Sequence, residues 1–132
     1  MYNYNMNTKE KPKVLIIDDE AEILKMYKDA FTANNFEVET AQNGESGVQK
    51  LTDYRPDVIL LDILMPRVNG LDVLEIIKKD SEIKNIPVYF LTNLPEESAG
   101  EKANKLGAAG YLVKAFNEPN KVVELIKQKL TI

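Results

Sequence analysis

The run Val58-Ile-Leu-Leu61 is apolar at four successive positions and hands the chain directly to a carboxylate, Asp62. A strand with no polar alternation is covered on both faces, the habit of parallel sheets. Parallel strands need long crossovers between them, so this one stretch requires helices elsewhere in the chain. Regular structure then stops at Pro66 and Gly70. An acid at the mouth of a buried strand is costly without partners, and the other strand ends are where partners would stand.

The flanking sequence has the required alternation. Lys13–Ile17 reads as a first strand, ending abruptly in Asp18-Asp19-Glu20, and Ala21–Asn34 carries Ile23, Leu24, Tyr27 and Phe31 at helical spacing. Phe36–Ala41 alternates as a half-exposed strand would. Asn43-Gly44 turns into a helix with Val48 and Leu51 inward, ended by Pro56. After the Val58–Asp62 strand, a helix from Gly70 presents Leu71, Leu74 and Ile77 on one face. Pro87–Thr92 is a fourth strand and Pro95–Leu106 a weaker helix, with Ala99, Ala103 and Leu106 as a thin apolar stripe. Tyr111–Val113 is a short fifth strand, and Glu118–Leu130 a last helix with Val122, Val123, Ile126 and Leu130 inward.

Five such strand–helix units predict an α/β fold with helices on both faces of a parallel sheet. A chain of 132 residues is far short of the roughly 250 residues of a closed eight-unit barrel. The expectation is an open, doubly wound, flavodoxin-like (βα)5 sheet of strand order 2-1-3-4-5. The polar, Asn-rich residues 1–11 read as a flexible tail with no apolar signal-peptide core, and 12–132 as one domain. The initial Met and short tail favour a complete chain.

Composition removes whole classes of chemistry. Cys and His are both absent, so thiolates and imidazoles serve neither as nucleophile nor as metal ligand here. A net charge of −4 argues against nucleic acid as a partner. No apolar run reaches the ~20 residues that span a bilayer, so the expected location is the cytoplasm. No Gly-rich turn follows the first strand, which argues against a nucleotide or flavin site.

In open parallel sheets, ligands bind beyond the carboxyl ends of the strands. Those ends carry Asp18 and Asp19 after the first strand, Asp62 after the third, Thr92 at the fourth and Lys114 after the fifth. Two carboxylates ~4 Å apart repel by about 4 kcal/mol at an effective dielectric near 20. Such a set protonates, pairs with Lys114 or binds a cation, and oxygen-only donors suit Mg²⁺ or a similar hard ion. Each residue alone has a plainer explanation. Asp18 or Asp19 is a ready N-cap for the helix at Ala21, Thr92 for the one near Pro95, and a strand tyrosine or a lysine is ordinarily packed or solvated.

The ordered set is more specific than its members. The pair Asp18-Asp19, the Asp62 of Leu60-Leu-Asp-Ile-Leu-Met-Pro66, Thr92, Tyr111 and Lys114 resemble the signature of receiver domains of two-component response regulators, of the single-domain chemotaxis or relay type. The resemblance covers about Lys13 to Ile132. It implies a phosphoacceptor signalling protein, not an enzyme acting on a separate substrate: Asp62 takes a phosphoryl group from a partner's phosphohistidine. The metal, Mg²⁺ or Mn²⁺, would be held by Asp19, Asp62 and the backbone carbonyl of Leu64, with Asp18 on a metal-bound water. Lys114 would pair with Asp62 and then with a phosphoryl oxygen. Thr92 and Tyr111 would form a switch pair that remodels the face made by the fourth helix, fifth strand and fifth helix. The implied partners are a sensor histidine kinase or histidine phosphotransfer protein and a downstream protein target at that face. In this family, kinase pairing depends on the surface around the first helix, here Glu22, Lys25 and Met26.

The chain departs from the family pattern at three positions. Ala115 stands where a proline with a cis bond is usual, Asn93 where a small residue is usual, and Leu64 offers no polar group to orient water. Asn93 and Leu64 together predict slow loss of the phosphoryl group. A phosphorylation-independent interaction domain of the same fold is the alternative. A small aspartyl phosphatase is disfavoured because Leu64 stands where that chemistry wants a second acid.

Overall fold

The computed structural model describes residues 10–132, so the expected tail falls outside the described residues apart from Glu10 and Lys11. Five strands alternate with five helices: β1 Lys13–Ile17, α1 Ala21–Ala33, β2 Glu37–Ala41, α2 Gly44–Lys50, β3 Val58–Leu61, α3 Gly70–Lys78, β4 Val88–Thr92, α4 Glu96–Lys105, β5 Gly110–Val113 and α5 Pro119–Leu130. All pairings are parallel and the order is β2-β1-β3-β4-β5. The predicted flavodoxin-like sheet is the observed one.

Both faces of β3 are covered, as its composition required. Val58 and Leu60 point into a cluster with Leu24, Tyr27 and Phe31 of α1 and Val122, Val123 and Ile126 of α5. Ile59 and Leu61 point the other way, into a cluster with Val73, Leu74 and Ile77 of α3 and Ala99 and Ala103 of α4. β1 and β4 divide their side chains in the same way. Alternation along each central strand thus produces two apolar layers from one run of apolar residues.

The departures from the sequence reading are local. β3 ends at Leu61, although the Asp62 amide still donates to the Ile17 carbonyl at 2.9 Å and so stays in line with the ladder. α3 buries Leu74 and Ile77 as expected and Val73 with them, while Leu71 packs against the same core only half buried. α4 rests on Ala99 and Ala103, with Leu106 half buried beyond its end. Leu130 is likewise only half buried on α5. A short 3₁₀ turn, Lys114–Phe116, follows β5 without a marked sequence signal.

The turn that carries Asp62 into the site is closed by a glycine. Gly70 starts α3 and donates its N–H to the Ile63 carbonyl at 3.0 Å. A Cβ at this position would fall onto the Asp62 carbonyl oxygen and lie 2.8 Å from the Ile63 Cα. Backbone atoms at the end of a central strand cannot retreat as a flexible side chain would. Gly70→Ala is therefore expected to destabilise the fold by about 1–3 kcal/mol, the range of overpacking. Urea unfolding measures it, and a variant as stable as the parent would contradict this close approach.

Candidate functional site

The carboxyl ends of β1, β3 and β5 bring three charges together. Asp18 and Asp62 are both buried, 2% and 4% exposed, and Lys114 reaches between them. Its Nζ lies 2.6 Å from Asp18 Oδ2 and 3.1 Å from Asp62 Oδ2. The second oxygen of each carboxylate is also occupied. Asp18 Oδ1 accepts from the Glu20 backbone N–H at 2.9 Å, and Asp62 Oδ1 from the Leu64 N–H at 3.2 Å. Two loops, each closing back on its own carboxylate, thus present both acids to one ammonium.

These contacts displace the plainer explanations. The N-cap of α1 is Glu20, and no side chain caps that helix, so neither Asp18 nor Asp19 is spent there. α4 is likewise uncapped by a side chain; the Thr92 hydroxyl, fully buried, accepts instead from the Leu94 N–H at 3.2 Å within the β4–α4 loop. Lys114 is not solvated, since its side chain is only 6% exposed. The Lys114–Ala115 peptide is trans.

A cavity of about 200 Å³ opens over the pair, lined by Asp19, Glu20, Asp62, Leu64, Asn93 and Lys114. Leu64 and Asn93, singled out from sequence, both lie at this mouth, and Leu64 is 51% exposed. Asp19 lines the cavity from an exposed position. Ligating oxygens of Asp18, Glu20 and Asp62 all lie within 4.8 Å of one another, the one such grouping among the described residues. Glu20 is the residue that reading the sequence missed. It stands in the same acidic run as Asp18 and Asp19, but only its side chain's reach to Lys114, 3.4 Å, reveals its membership.

Tyr111 occupies a different part of the same end of the sheet. Its hydroxyl donates to the Leu94 carbonyl at 2.8 Å, with the Pro95 carbonyl 3.4 Å away, and its ring lies 6.1 Å from that of Phe90. Tyr111 and Thr92 thus both hold the β4–α4 loop, one through its carbonyls and the other through its amide.

A sequence model of the response regulator receiver domain matches residues 14–127. The chain belongs to this family. Over 118 residues the receiver is 36% identical to the chemotaxis protein CheY of Thermotoga maritima, covering 88% of this chain and 95% of that protein. It is also 36% identical to a probable transcriptional regulator, ycf27, of Guillardia theta, covering 86% of this chain but only 43% of that longer relative. Among solved structures, the chemotaxis protein CheY4 of Vibrio cholerae superposes with a TM-score of 0.83 at 30% identity, over 90% of this receiver and 98% of that chain. Receivers of this kind are signalling proteins of two-component systems, and among the described residues no helix is long and apolar enough to cross a membrane.

Burial pushes the Asp18 carboxyl above its usual range, and the like charge of Asp62 adds to this; the bonds from Lys114 and the Glu20 amide oppose it without cancelling it. For Lys114, burial alone would lower the pKa, but the bond to Asp18 and the charges of both acids outweigh it and hold it above the usual value. The stability linked to protonated Asp18 is fully present below 3.8 and is lost as pH rises through the raised value. The contribution of Lys114 persists through neutral pH and is lost only above 10.5, as pH rises through its folded value. Lys114→Met leaves two buried carboxylates without a counter-charge, and is expected to cost about 3–5 kcal/mol near neutral pH. The deficit should narrow near pH 4 as Asp18 takes up a proton. Urea melts at both pH values test this; an equal deficit at each would rule out carboxylate repulsion as its source.

Proposed function

We propose that this receiver accepts a phosphoryl group on Asp62 from a phosphohistidine of a partner protein and uses it to switch protein–protein binding. The observation that carries the reading is the Lys114 bridge between the buried Asp18 and Asp62, drawn from three separate strand ends. A buried carboxyl beside an ammonium, lining a cavity open to solvent, is a nucleophile with room for a phosphoryl group. Neighbouring acids that serve only stability would not need the cavity.

The donors fit a hard cation. They are oxygens only, in a chain without His or Cys, and those of Asp18, Glu20 and Asp62 lie within 4.8 Å of one another, with Asp19 and Leu64 lining the same cavity. Asp62, Asp19 and the Leu64 carbonyl would hold Mg²⁺ or Mn²⁺, with Asp18 nearby. When bound, the cation neutralises phosphoryl charge. In the transfer, the P–N bond to the donor imidazole breaks, its electron pair stays on the ring, and a P–O bond forms to an Asp62 carboxylate oxygen. The donor histidine lies on another protein, since this chain has none. A sensor histidine kinase or a histidine phosphotransfer protein supplies it, in the cytoplasm.

Positioning by the chain's own residues does most of this chemistry. Lys114 moves its donors to a phosphoryl oxygen. The Thr92 hydroxyl, which now accepts from Leu94, has its own proton to give to another. Drawing Thr92 toward the phosphoryl group shifts the loop whose carbonyls hold the Tyr111 hydroxyl. Tyr111 then repacks, and the face formed by α4, β5 and α5 changes shape for a downstream protein target. This is a shift between two packings, not a new structure.

Incubation with Mg²⁺ and acetyl phosphate, read by intact mass, should add one phosphoryl group to the parent and none to Asp62→Asn. No adduct on either, and no Mg²⁺-dependent NMR shift, would leave an interaction domain that works without phosphorylation. Leu64 and Asn93 at the cavity mouth make phosphoryl loss slow, because the aliphatic side chain orients no water. Leu64→Asn should accelerate it about 10-fold, less than the 10²–10⁴-fold of a full general base. Phos-tag gels follow the decay; a parent half-life of seconds would contradict the assignment.

A further inference from the structure

The ammonium of Lys114 carries three N–H donors, and three carboxylate oxygens surround it. They belong to Asp18 at 2.6 Å, Asp62 at 3.1 Å and Glu20 at 3.4 Å. With all three donors engaged, none is spare for a phosphoryl oxygen. One contact has to yield before Lys114 can serve a phosphorylated Asp62.

The three contacts differ in how easily they yield. The Asp18 carboxylate is 3% exposed, and its second oxygen is pinned by a backbone N–H. Asp62 is equally buried, is pinned in the same way by Leu64, and is the acceptor itself. Glu20 makes the longest contact and its side chain is 58% exposed. Its backbone, by contrast, is fixed as the N-cap of α1 and as the donor to Asp18. Glu20 therefore has a rigid base and a free arm. Turning that arm into water costs little, because the carboxylate is already largely hydrated.

We propose that Glu20 is a positioning residue that holds the third donor of Lys114 in the unphosphorylated receiver and competes with the phosphoryl group for it. The inference rests on the phosphoacceptor reading above. Glu20 opposes the phosphorylated state twice over: it occupies a donor the phosphoryl oxygen needs, and its charge faces the phosphoryl oxygens across the same small cavity. Its oxygens also lie close to those of Asp18 and Asp62, so removing its charge weakens cation binding as well. Saturating Mg²⁺ separates the two effects.

The test compares Glu20→Gln and Glu20→Ala with the parent at saturating Mg²⁺. Each is titrated with beryllofluoride as a phosphoryl mimic, and the Lys114 Nζ resonance is followed by ¹⁵N NMR. Both variants should bind beryllofluoride about 2–5-fold more tightly, the scale of a largely exposed ion pair. Both should also shift the Nζ resonance before any mimic is added. Affinity unchanged or weakened at saturating Mg²⁺ overturns the competition, and an unshifted Nζ resonance overturns the contact. A parent that takes up no beryllofluoride removes the phosphoacceptor reading and the competition with it, while the Nζ shift still decides whether Glu20 holds Lys114.

Discussion

One ammonium among buried carboxylates organises the upper end of this molecule. Without Lys114, Asp18 and Asp62 would face each other in a setting that raises the cost of each charge. With it, three loops from three strands are tied to a common point. The tie is electrostatic and local, but its anchor points are set by the sheet. β1 and β3 are neighbours in the order, so their ends lie side by side, and β5 returns two strands away with a side chain long enough to reach back. The fold makes the cluster possible, and the cluster in turn leaves the top of the sheet with a charge balance that a small change can upset.

Much of this was legible in the sequence because the signals involved are strong. The Val58–Leu61 run has no alternation to misread, and five strand–helix units in strict succession leave few topologies. The convergence of Asp18, Asp62 and Lys114 followed from the topology alone, since the carboxyl ends of parallel strands share one edge. What was not legible depended on side-chain reach and rotation. On α3, Leu74 and Ile77 were legible but the third anchor was not, because Leu71 and Val73 are both apolar and only packing against the sheet chooses between them. Glu20 stood in plain view, but a glutamate after an acidic pair reads as a solvated helix start until its distance to Lys114 is known.

Asp19 and Glu20 illustrate the same limit from another direction. Adjacent residues leaving a strand point to different sides, so an acidic run delivers its charges to different places. Asp18 turns in to the ammonium, Asp19 stays at the rim of the cavity, and Glu20 folds back over Lys114. Residue type gives the chemistry available, while the backbone path decides which atom arrives. Neither is sufficient without the other.

The thin stripe of α4 has a consequence of its own. α5 is fastened by Val122, Val123 and Ile126, whereas α4 meets the core through the methyl groups of Ala99 and Ala103. At about 0.8 kcal/mol for each methyl-sized group, the alanine anchors hold roughly as much free energy as one or two hydrogen bonds. The leverage in this molecule is therefore uneven. A single polar contact remade in the β4–α4 loop is commensurate with what fastens the helix beyond it, and would be lost as noise against the helix on the opposite face.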